Sequence, residues 1–84
     1  MKYSEGKLGR IFVIRLEHGD IIHEEIENFA KEKDIKSAAL IIVGGVNKDS
    51  KIVVGPENDD DRPVNPMELI LKNAHEVTGT GTLF

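Results

Sequence analysis

The chain has no cysteine and no tryptophan, and only one tyrosine and three phenylalanines among 84 residues. Without cysteine, disulfides and thiolate metal sites are excluded, a pattern that fits a reducing, cytoplasmic setting. Long apolar runs are missing too. The longest, Ala38 to Val43, is far too short to cross a bilayer, so no membrane partner is expected. The first ten residues are polar and lack the apolar stretch of a signal peptide. Positive charge is also scarce: 11 Lys and Arg stand against 15 Asp and Glu, for a net charge of −4. A basic excess is the usual footprint of a nucleic-acid-binding surface, so DNA is not favoured as a partner of the bulk surface, although a local patch could exist.

A chain of this length forms one domain at most, spanning residues 1–84. Domains this small bury only about 60–65% of the surface their unfolded chains expose. They often rely on a metal, disulfides or a partner subunit.

The pattern along the chain predicts an α/β (α+β) fold with the order β-α-β-β-loop-β-β. "GRIFVIRLEHGD" opens with a strand in which Ile11, Val13 and Arg15 alternate with Phe12, Ile14 and Leu16. Its apolar density predicts that both faces are covered. "DIIHEEIENFAKEKDI", from Asp20 to Ile35, predicts a helix with Asp20 as N-cap. Glu24 and Glu25 suit the positive end of the helix dipole, and Lys31 and Lys33 the negative end. Ile22, Ile26, Phe29 and Ala30 form one apolar stripe, with Ile26 and Phe29 expected to be buried against the sheet. "SAALIIVGGV" predicts a second strand, ended or bulged at Gly44-Gly45. A turn at Asn47–Ser50 leads to a short strand at 51–54. Residues 57–66 form an Asp-, Asn- and Pro-rich loop. "MELILKN" and "HEVTGTGTLF" are two further strands with a break near Asn73-Ala74.

Each residue that could carry chemistry has a plainer explanation. Asp59-Asp60-Asp61 could hold a hard cation, but the alternating ligands and distal Glu of a calcium loop are absent, and a solvated loop is favoured. Neither Gly44-Gly45 nor "GTGT" at 79–82 precedes a helix, as phosphate or dinucleotide sites require. His23 lies off the apolar stripe with Glu27 four residues on, a pair that could supply two zinc ligands or simply stand half-exposed. His75 reads as a surface or edge histidine, and His18 has no evident partner. No Ser-His-Asp or Cys-His order and no nucleophile elbow is legible, which leans against an enzyme.

Taken together, "GRIFVIRLEHGDIIHEEIENFAKEKDI", "AALIIVGGV" and "HEVTGTGTLF" resemble the opening of the PPC (plant- and prokaryote-conserved) domain. In that family a strand of the form Arg-hydrophobics-Arg-Leu-Glu leads through a Gly-Asp/Glu turn into a helix ending in Phe-Ala. Here these are Arg10, Arg15-Leu16-Glu17, Gly19-Asp20 and Phe29-Ala30. The next strand ends in a Gly-small pair, here Gly44-Gly45, and a later one carries Glu76-Val77 and Gly81. The resemblance implies a largely antiparallel sheet with one helix, a homotrimer, and a chain holding only the N-terminal part of the domain. Prokaryotic members are labelled DNA-binding proteins. In plants a separate AT-hook contacts DNA while the domain mediates protein association, and no Arg-Gly-Arg core occurs here. Some members bind metal through a His-x-His strand that this chain lacks, so zinc belongs to an intact domain.

Two functions compete with direct DNA binding. One is a non-catalytic oligomerisation and interaction module, associated with regulation. The alternative is a metal-dependent small-molecule-binding protein or enzyme, with His23 as a ligand and His75 as a further candidate facing the missing strand. DNA binding would need a concentrated patch, for which Lys7, Arg10 and Lys36 are the candidates.

Overall fold

The computed structural model describes residues 1–60 and 62–84. The chain divides into two compact units, residues 1–35 and residues 36–84. Among the described residues, the elements are one helix, α1 (Ile22–Glu32), and four strands, β1 (Ala38–Val46), β2 (Lys51–Pro56), β3 (Pro66–Ile70) and β4 (His75–Leu83). All pairing is antiparallel, so the α+β expectation holds.

In the first unit the expected strand at 11–16 does not form. No described strand pairs with it, and residues 1–21 contain neither helix nor strand. Its alternation nevertheless survives. Phe12 and Ile14 are 41% and 45% exposed, whereas Ile11 and Val13 are 74% and 98% exposed. One side is partly covered and the other is open, contrary to the expectation of two covered faces. Backbone alternation sets which side chains share a side, but a sheet also needs a neighbouring strand to take up its N–H and C=O groups.

The helix is shorter than the sequence suggests, and Asp20 is not its cap. Ile21 holds the N-cap position without any side-chain hydrogen bond. Instead, Asp20 Oδ2 accepts from the Glu17 backbone N–H at 2.8 Å, and the Asp20 N–H donates to Glu17 O at 3.1 Å. Gly19, at φ +92°, makes this turn possible. A short carboxylate that satisfies the backbone behind it is lost to the helix in front of it.

The other end is closed by the backbone. The Ile35 N–H donates to Ala30 O at 2.8 Å and the Asp34 N–H to Lys31 O at 3.3 Å. Asp34 takes φ +53°. This is the Schellman arrangement, with an aspartate where glycine is most common. The apolar stripe is where the spacing put it: Ile22, Ile26 and Phe29 are half-buried and Ala30 is buried at 6% exposure. Full burial of Ile26 and Phe29 is not reached.

The second unit is a single long hairpin interrupted in the middle. β1 pairs with β4 from Ala38 opposite Leu83 to Val46 opposite His75. β2 pairs with β3 from Lys51 opposite Ile70 onward. Extending the β1–β4 register across the interruption puts Ser50 opposite Leu71 and Lys51 opposite Ile70, so the register does not change. Two bonds bridge the gap: Asp49 N–H to Leu71 O at 2.8 Å, and Leu71 N–H to Ser50 O at 2.9 Å. The turn expected at 47–50 is present, with Ser50 N–H donating to Asn47 O at 3.2 Å. Asp49 adopts φ +72°, a left-handed conformation tolerated best by Gly, Asn and Asp. Gly44 and Gly45 neither end nor bulge β1. They pair regularly with Val77 and Glu76. The irregularity lies instead between Val54 and Pro56, just before the loop, where proline has no N–H to give the ladder.

Candidate functional site

Residues opposite each other in an antiparallel pair share a face. One face of the β1–β4 ribbon therefore carries Leu40, Ile42 and Val46 with Val77 and Leu83, all half-buried. Gly81 faces Leu40 directly. A Cβ built on it would lie 3.2 Å from Leu40 Cδ1, so the missing side chain lets leucine lie across the partner strand. The opposite face carries Ile41 and Val43 with Thr78, Thr80 and Thr82. Ile41 and Val43 are 80% and 81% exposed.

The two ribbon segments differ in chemistry. β1 has no charged residue, and Glu76 is the only acidic or basic residue in β4 apart from His75. Neither strand contains proline. By contrast, β2–β3 carries Lys51, Glu68, Pro56, Pro66 and a bulge. Lys51 Nζ and Glu68 Oε1 are 3.5 Å apart, both side chains about half-exposed. Charge, proline and bulges are the usual means of keeping a free strand edge from pairing with another chain. The β2–β3 end has them and the β1–β4 end does not. An open hollow of about 450 Å³ runs along Val43–Gly45 and Glu76–Thr78 on this ribbon.

The three histidines are all exposed. His23 is exposed in the first turn of α1, and Glu27 is exposed one turn on. His75 belongs to the other unit, and its Nδ1 lies 2.8 Å from Asn73 O. His18 is exposed in the turn before the helix. Among the described residues, no group of three His, Asp or Glu side chains is placed to hold a metal ion. Asp59 and Asp60 lie in the exposed loop, and Asp61 falls outside the described residues.

Lys7, Arg10 and Lys36 are all exposed. Lys7 and Arg10 belong to the first unit and Lys36 to the second. The Arg10 guanidinium donates to Asp34 O at 3.4 Å and stands 5.6 Å from the Phe12 ring centroid. It thus helps close the helix end and cover an aromatic ring.

The exposed side of the ribbon was not legible as such. "ALIIV" lacks polar alternation, which marks a strand with apolar residues on both sides but does not say whether a neighbour is present. Among the described residues, no helix is long and apolar enough to cross a membrane.

No curated protein and no solved structure matches the chain significantly. A family profile described as the Plants and Prokaryotes Conserved (PCC) domain matches residues 3–84, a span that includes the helix and all four strands. The chain belongs to the Plants and Prokaryotes Conserved (PCC) domain family.

Proposed function

We propose that this chain is a non-catalytic association module that acts in the cytoplasm by binding copies of itself, as a homotrimer, through the β1–β4 ribbon. The observation behind this reading is the exposure of Ile41 and Val43 on a ribbon with almost no charge. A lone two-stranded hairpin is marginally stable in water, and a third strand or a packed layer is what stabilises it. Covering each of these side chains is worth about 1.5–3 kcal/mol when it passes from exposed to buried.

Sedimentation of the wild-type chain and of Ile41→Lys/Val43→Lys tests the proposal. The wild type should sediment as a trimer, and the double variant should shift to monomer while keeping its circular dichroism. A wild-type monomer across the accessible concentration range would overturn it. So would a folded double variant that still sediments as a trimer.

A regulatory role at DNA would follow from what the assembly recruits rather than from the charge of this chain, which is −4. Direct binding through phosphate contacts would weaken steeply with added salt. A salt titration on duplex DNA distinguishes the two routes. The metal-dependent alternative, with His23 as ligand, needs donors beyond the His23–Glu27 pair, because zinc sites take three or four protein ligands.

A further inference from the structure

We draw no further inference here: the strongest candidate, the open hollow along Val43–Gly45 and Glu76–Thr78 on the β1–β4 ribbon, belongs to the association surface already described, and nothing in the structure shows what ligand would cover it.

Discussion

The Phe12 ring meets the Phe29 ring edge-on, with centroids 5.1 Å apart and planes at 82°. This contact ties the irregular segment before α1 to the helix's apolar stripe. A T-shaped pair adds about 0.5–1.5 kcal/mol beyond the area it buries. Phe29 is half-buried, so Phe29→Ala should cost about 2 kcal/mol, less than the 3–5 kcal/mol of a fully buried phenylalanine. A double-mutant cycle with Phe12→Ala should give a coupling of about 1 kcal/mol. Additive losses in thermal or urea unfolding would mean the rings do not support each other.

Gly79 and Gly81 offer a matched comparison on one strand. Nothing lies within 4 Å of a Cβ added at Gly79, whereas one at Gly81 would press on Leu40. Glycine inside a strand costs about 0.5–1 kcal/mol in backbone entropy. Gly79→Ala should therefore raise stability by that amount. Gly81→Ala should gain nothing or lose up to about 1 kcal/mol, because Leu40 must shift. Equal gains at both positions, read from urea midpoints, would show that Leu40 does not rest on Gly81.

Asp49 occupies a left-handed conformation within the interruption of the hairpin. Asp49→Gly removes the Cβ penalty and should stabilise the unit by up to about 1 kcal/mol. Asp49→Val places a β-branched residue where it fits worst and should destabilise by about 1–2 kcal/mol. If valine is tolerated as well as glycine, the positive φ is not held in solution.

His23 and Glu27 together supply two donors, fewer than a zinc site needs. Calorimetric titration of this chain with zinc should show no saturable binding in the micromolar range, and His23→Ala should leave the trace unchanged. Tight, stoichiometric binding that His23→Ala abolishes would support the metal-dependent alternative.

The sequence by itself determined the local features. The 3.6-residue spacing of Ile22, Ile26, Phe29 and Ala30 defines one helix face, and those residues are the half-buried and buried ones. Apolar runs bounded by Asn, Asp, Gly and Pro delimited β1 to β4 to within a few residues, because turn chemistry acts on immediate neighbours. The residues matching the family pattern were equally local. Tertiary structure decided the rest. Asp20 turned back to Glu17, because two backbone groups competed for one carboxylate. Gly44-Gly45 stayed in the ladder, because Val77 and Glu76 stood opposite. The 11–16 segment kept its alternation without becoming a strand, because no described strand pairs with it. Among the described residues no three His, Asp or Glu side chains are placed to hold a metal ion, and sequence spacing alone does not say which side chains on different elements meet. Strand pairing and ligand sets depend on contacts between residues far apart in the chain, and composition and periodicity carry no record of which distant residue will be the neighbour.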